Sequence, residues 1–327
     1  MSIMKSPMQQ VRCRGWNIHV KRDDFFFLSG NKFRKLFWLT EKDPSFFAHK
    51  HLLSYGGIQS NAMLAIAQLA QMKDVPFAYF TKPIPPNVHE RTASLVTNLS
   101  LATSMGMRHV ELSHEQYDAL ANTHDFTPVV PTDMPQWIGV PQGVAIPEAE
   151  LGIQQLAHEI NDYTSSLHQS SAVVLPCGTG TTAYYLAKHV HPSIKVYGIP
   201  CVGSATYLRQ QLDRQGGSTS ATSKSLLQVL EPKKRVAFGT LWRPLLDIYE
   251  EVLSSTGIEL DLIYGCLAWH TMLLGLQEGI FEGRDIIYIH CGGVTGNASQ
   301  LDRYRKKYGH LQTNKNGDIP RAPVSSV

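Results

Sequence analysis

No run in this sequence is apolar for long enough to span a membrane, and the opening MSIMKSPMQQVRCRGW has no apolar stretch of signal-peptide length. These absences predict a cytoplasmic protein. Cysteine is scarce and scattered: Cys13, Cys177, Cys201, Cys266 and Cys291 are odd in number and never spaced C-x-x-C. Free thiols in a reduced compartment suit that pattern better than a disulfide framework. The 14 histidines include no H-E-x-x-H and none pairs with a cysteine at ligand spacing, so no metal site is expected. Charge is also sparse, at 17% of residues with a net charge of +3, and the longest cationic run is Lys233-Lys234-Arg235. Nucleic acid is therefore not an expected partner.

What is present is length and apolar mass. A chain of 327 residues, 43% hydrophobic, exceeds one ordinary core and predicts two domains. WNIHVKRDD, HLLSY, PFAYFT, RHVELS, SAVVLPC, IKVYGIP and DIIYIHCGG read as strands, with helical spacing from about Asn31, in NAMLAIAQLAQM, in RTASLVTNLSLATSMG and after PCGTG. Strands alternating with long helices predict an α/β protein with parallel-rich sheets and crossover helices. The division expected is a small α/β domain, residues 51–145, inserted in a large domain made of 1–50 and 146–327. QGGSTSATSKS (215–225) reads as a polar, mobile loop, and the tail after about Gly309 as poorly packed.

Two glycine turns carry the chemistry. LPCGTGTTA has G-x-G-x-x-A spacing between strand and helix, but the following strand ends VYGIPCVG without the acid that a dinucleotide ribose requires. An oxidoreductase reading rests on that spacing alone. Thr179, Gly180, Thr181 and Thr182 then make either a phosphate site at a helix N-terminus or a simple capped turn. LSGNKFRKLFWL places Lys32, Arg34 and Lys35 at a helix start. They are either a solvated basic face or the surroundings of an amine kept neutral by burial and neighbouring cations. A phosphate pocket together with a nucleophilic lysine suggests pyridoxal phosphate.

SGNKFRKLFWL, SYGGIQSNAM, PCGTGTTA and HCGGV, in this order, resemble the aminocyclopropane-carboxylate deaminase / D-cysteine desulfhydrase family of tryptophan-synthase β-like enzymes, over about Val20 to Val294. The resemblance implies pyridoxal 5'-phosphate as cofactor, a small amino-acid substrate and a homodimer. It makes Lys32 the Schiff-base lysine and proton carrier, and Thr179 to Thr182 the phosphate loop. It sets Asn61 near the cofactor's phenolic oxygen, Gln59, Ser60 and Asn61 at the substrate, Tyr264 as an acid or base, and Asn98 beside them. Cys291 and Gly292 fall in the later glycine turn, facing the ring.

Three positions depart from that pattern. Gly265 stands where the deaminases carry an acid, Cys291 where desulfhydrases carry a hydroxyl, and Phe238, 26 residues before Tyr264, where a second tyrosine is usual. A thiol would not hold a proton on the pyridine nitrogen. The expectation is an α,β-elimination yielding a 2-oxo acid and ammonia, D-cysteine desulfhydrase-like. Aminocyclopropane-carboxylate deamination and a cofactor-binding protein with little turnover are the alternatives.

Overall fold

A computed structural model describes residues 5–86, 88, 95–134, 136–167, 169–216 and 227–309. The chain opens on a hairpin, β1 (Met8–Cys13) and β2 (Trp16–Arg22), then α1 (Lys32–Thr40), β3 (His51–Tyr55), α2 (Asn61–Lys73) and β4 (Phe77–Thr81). Next come α3 (Asn98–Ser104), β5 (Arg108–Glu111), α4 (His114–Thr123), β6 (Trp137–Val140) and α5 (Glu150–Thr164). The remainder is β7 (Ser170–Cys177), α6 (Thr181–His189), β8 (Lys195–Pro200), α7 (Ala205–Gly216), β9 (Leu227–Val229), α8 (Arg243–Thr256), α9 (Gly265–Gln277), β10 (Arg284–His290) and α10 (Asn297–Tyr308).

Two sheets result. The six-stranded sheet runs β1-β2-β10-β7-β8-β9, and the four-stranded sheet β5-β4-β3-β6. Every pairing is parallel except the β1–β2 hairpin. Strands such as FAYFT are buried on both faces, which is why they read as continuous apolar runs rather than alternations. Apolar clusters cover both faces of each sheet; Trp269 and Tyr288 pack edge to face in the larger sheet's core, with ring centroids 4.8 Å apart.

The β1 strand is an addition to the sequence expectation. Arg14 and Gly15, both at positive φ, turn a short and half-exposed MQQVRC back on β2 as an antiparallel edge. The helix expected over 91–106 is shorter. Thr97 and Ser100 exchange side-chain and backbone hydrogen bonds in a capping box that starts α3 at Asn98, and residues 91–94 lie outside the described residues. Of the loop expected over 215–225, Gln215 and Gly216 close α7 and the rest lies outside the described residues, as does the tail after Gly309. Among the described residues, no helix is long and apolar enough to cross a membrane, and no group of His, Cys, Asp and Glu side chains could hold a metal ion.

The cationic start of α1 is not a solvated face. Phe33, Leu36 and Leu39 pack into the core shared with α2, while Arg34 turns the other way, 1% exposed, toward α5. There α1 and α5 meet backbone to backbone at Gly152, where a Cβ would lie 2.0 Å from the Arg34 carbonyl oxygen. Only a glycine allows this approach. Gly152→Ala should therefore cost about 1–3 kcal/mol by forcing the helices apart, read as a lower urea midpoint at unchanged slope.

Candidate functional site

The loops that leave the C-terminal ends of β3, β7 and β10 converge on one cavity of about 310 Å³. Parallel strands carry their ligand sites at this edge. Lys32, Gln59, Ser60, Asn61, Thr179, Gly180, Thr181, Thr182, Tyr264, Cys291 and Gly292 all line it, while Asn98, also expected near the site, stands behind Asn61 and Gln59.

The amine end is built by the Gly-Asn-Lys turn. Gly30, at φ +70°, lies so close to the later glycine turn that a Cβ would fall 2.2 Å from the Cys291 carbonyl oxygen. The Asn31 N–H donates to that oxygen at 3.0 Å. Lys32 then begins α1 with Nζ donating to Asn31 Oδ1 at 2.9 Å. Burial pushes the Lys32 ammonium below the ordinary lysine value, against weaker opposite pulls from Cys291 and Asp261. Contrary to the expectation that the charges of Arg34 and Lys35 lower it, burial does so: the Arg34 guanidinium is spent on Asp23 and Glu159. Desolvation is the main cause.

The anion end is the α6 N-terminus. Gly180, left-handed at φ 76°, lets the chain enter the helix, whose first-turn N–H groups lack intrahelical acceptors. Thr179 Oγ1 and Thr181 Oγ1 lie 2.9 Å apart, and Gln215 Nε2 donates to the Thr179 carbonyl at 2.8 Å, fixing the turn.

Lys35 was expected only as a charge near Lys32, and its place in the cavity was missed. It is 5% exposed, lines the cavity, and donates to the Gly143 carbonyl at 3.0 Å. Burial, then the charge of Lys32, lowers its pKa to about 7. A buried cation beside an N-terminal turn rich in hydroxyls is the complement of a phosphate group, and this is the observation on which a phosphate-bearing aldehyde fits the residues present. The available signal was spacing: residues 32 and 35 are i and i+3 on one helix face.

An anion here would draw a proton onto Lys35. At pH 8.5, above its pKa of about 7, the amine starts neutral. Calorimetry of inorganic phosphate binding to cofactor-free protein, compared in two buffers of different ionisation heat, should show about one proton taken up, and Lys35→Met should abolish the uptake.

Between the two ends sits the start of α2. Ser60 caps it, accepting from the Met63 N–H at 3.2 Å. Asn98 donates to Asn61 Oδ1 at 2.9 Å and to the Gln59 carbonyl at 3.1 Å, which leaves the Asn61 amide nitrogen against Gly293. Asp261, also missed, accepts from the backbone N–H groups of Ile263, Tyr264 and Gly265, and so orients Tyr264 at the head of α9. Its signal is an acid just ahead of an apolar helix. A Cβ at Gly265 would lie 2.9 Å from Asp261 Oδ2, so this helix start is shaped around glycine. Burial raises the pKa of both the Tyr264 phenol and the Cys291 thiol, keeping them protonated. His290 is held by the Gly292 N–H at Nδ1 and the Glu259 carbonyl at Nε2, and supports the turn.

No family model matches the chain. It is 24% identical over 312 residues, covering 90% of this chain and 77% of the relative, to the mitochondrial bifunctional D-cysteine desulfhydrase/1-aminocyclopropane-1-carboxylate deaminase of Arabidopsis thaliana. A solved ACC deaminase homologue superposes with a TM-score of 0.71 at 19% identity, over 93% of this chain and 94% of its own. A hydrogen sulfide-producing enzyme from Fusobacterium nucleatum does so with a TM-score of 0.60 at 12% identity, over 89% and 96%. In sequence the chain is thus similar to a protein named for D-cysteine desulfhydrase and aminocyclopropane-carboxylate deaminase, and it shares its fold with a solved homologue of the deaminase.

Proposed function

We propose that the protein is a pyridoxal-phosphate-dependent lyase that eliminates a β-substituent from a small amino acid, giving a 2-oxo acid and ammonia. The observation that carries this reading is one cavity holding a desolvated amine at Lys32 and, at its other end, a cation and helix start suited to phosphate. Lys32 would hold the cofactor's aldehyde, Thr179 to Thr182 with Lys35 its phosphate, Asn61 its phenolic oxygen, and Cys291 with Gly292 the ring side. When bound, the cofactor supplies an electron-withdrawing ring that acidifies the Cα–H bond of the amino acid.

The chain's own groups do the rest. Gln59, Ser60 and the positive end of α2 bind the substrate carboxylate. Lys32, whose pKa burial lowers, takes the Cα proton at Nζ. Tyr264, held protonated, is the acid on the substrate's side-chain face. The thiol of Cys291 is neutral, so it leaves the ring nitrogen unprotonated, which suits a reaction whose leaving group carries the electron pair away. For a cysteine the balance is amino acid plus water to hydrogen sulfide, pyruvate and ammonia, with no net oxidation.

Opening of aminocyclopropane carboxylate stands beside elimination, since the Arabidopsis relative is named for both activities. The two sheets are read as a small domain, 51–145, inserted in a large one of 1–50 and 146–327, with the cleft between them. Five free thiols, four of them buried, support a cytoplasmic setting, and a homodimer follows the family resemblance. A panel of D- and L-amino acids with aminocyclopropane carboxylate, followed by 2-oxo acid release, tests the reading. Pyruvate from D-cysteine is expected. No 2-oxo acid from any member would leave only a cofactor-binding protein.

A further inference from the structure

We infer that this site prefers amino acids whose β-substituent is apolar and leaves as a thiolate, that is, S-alkyl and S-aralkyl cysteines, over cysteine itself. The inference rests on the elimination reading and names the substrate class of that same site. Its basis is a pair of aromatic rings that the described residues leave partly exposed. Phe238 is 46% exposed and Tyr207 36% exposed, and both line the cavity. Val202 lies on the same wall, and the ring of Phe238 meets Tyr264 edge-on, with centroids 5.5 Å apart at 67°.

Phe238 is presented deliberately by its surroundings. The turn closes with the Thr240 N–H donating to the Ala237 carbonyl at 3.0 Å, and Val236, Leu241 and Trp242 anchor it on the core. Exposed large aromatics around a cavity mouth are where a ligand gains apolar contact. Among the described residues, the ionisable side chains lining the cavity, apart from Tyr207, Tyr264 and the two thiols, are Lys32, Lys35 and Asp261. Lys35 is tied to Gly143, and the Asp261 oxygens take three backbone N–H groups. Phe238 itself offers no proton to help hydroxide depart, whereas a thiol, with a pKa of roughly 8.5, leaves as its anion. A hydrosulfide would leave both rings facing water; a thioether carbon chain would cover them.

The step balances without an oxidant. The Cα–H bond breaks with its proton going to Lys32 Nζ, and the Cβ–S bond breaks with its electron pair remaining on sulfur. The thiolate then takes a proton, and water converts the released enamine to pyruvate and ammonia.

The test uses the holoenzyme and both enantiomers of cysteine, S-methyl-, S-ethyl-, S-propyl- and S-benzylcysteine, with β-chloroalanine as a small substrate that eliminates readily. kcat/KM for pyruvate release should rise about fourfold per added methylene until the cavity mouth is filled. Phe238→Ala should cut the S-benzylcysteine to β-chloroalanine ratio about tenfold or more, and Phe238→Tyr should cut it less. Turnover of β-chloroalanine with a flat or falling thioether series overturns the inference and leaves the elimination reading standing. Should even β-chloroalanine release nothing, the elimination reading fails. Calorimetric titration with norleucine and alanine, which cannot eliminate, then decides apolar recognition, and equal Kd values sink it.

Discussion

Lys32→Ala should yield a folded protein that, after reconstitution, shows no violet-region cofactor absorbance and releases 2-oxo acid about a thousandfold more slowly. Folding should survive because, among the described residues, the Lys32 side chain makes one hydrogen bond, to the neighbouring Asn31, and no ion pair. Burial lowers its pKa, and the nearby Asp261 carboxylate keeps three backbone N–H donors when the amine is removed. The sharper question is which amine is used, because Lys35 also faces the cavity and, with a pKa of about 7, is partly neutral at physiological pH. Geometry separates them. Lys32 sits against the Cys291–Gly292 turn, whereas Lys35 donates to Gly143, whose own Cβ position abuts Thr179 of the phosphate turn. Borohydride reduction of the wild-type holoenzyme should fix the cofactor on Lys32, located by peptide mass spectrometry. A label on Lys35, or an absorbance that persists in Lys32→Ala, would exchange the two roles and move the phosphate end of the site.

How much of this was legible in the sequence depends on what each residue's environment leaves in the local pattern. HLLSY, FAYFT and IKVYGIP announce central parallel strands because both of their faces are buried, and the glycines that end β3, β7 and β10 mark where the chain turns into the cavity. Phe238, singled out because it stands where the resembled family carries a second tyrosine, proves to meet the ring of Tyr264, a contact the sequence did not state. MQQVRC was not legible, since an edge strand with a half-exposed face has no apolar run to betray it. The three cations of α1 were legible as charge but not as direction. Lys32 and Lys35 share the cavity face and Arg34 leaves by the opposite one; no pattern of residue types states that Asp23 and Glu159, 11 and 125 residues away, are waiting for it.

That arrangement makes Arg34→Met the largest expected loss of stability. The Arg34 guanidinium donates from Nε and Nη2 to Asp23 at 2.8 Å each, and from Nη1 and Nη2 to Glu159 at 3.0 Å each, with Ser6 Oγ accepting at 3.0 Å. Lys21 pairs with Glu159 at 2.6 Å. Asp23 and Arg34 are fully buried and Glu159 nearly so. Removing the central cation leaves two buried carboxylates facing one lysine. A broken buried pair costs about 3–5 kcal/mol, on the order of ten degrees in Tm for a chain of this size. The pH dependence has a definite sign. Burial would raise the Glu159 pKa, but Arg34 and then Lys21 outweigh it and hold the carboxyl below its ordinary value. A depressed folded-state pKa gives stability that is present above the unfolded value, near 4.3, and is lost as pH falls through the folded one. The gap between wild type and Arg34→Met, measured by urea unfolding, should therefore be widest near neutrality and narrow toward pH 3. Because Arg34 follows Lys32 by two residues on the first turn of α1, the same variant should also hold the cofactor more weakly at neutral pH, the loosened helix start carrying the anchoring amine with it. An unfolding free energy within about 1 kcal/mol of wild type at pH 7 would mean that the cluster is only a surface pair in its energetics, whatever its burial.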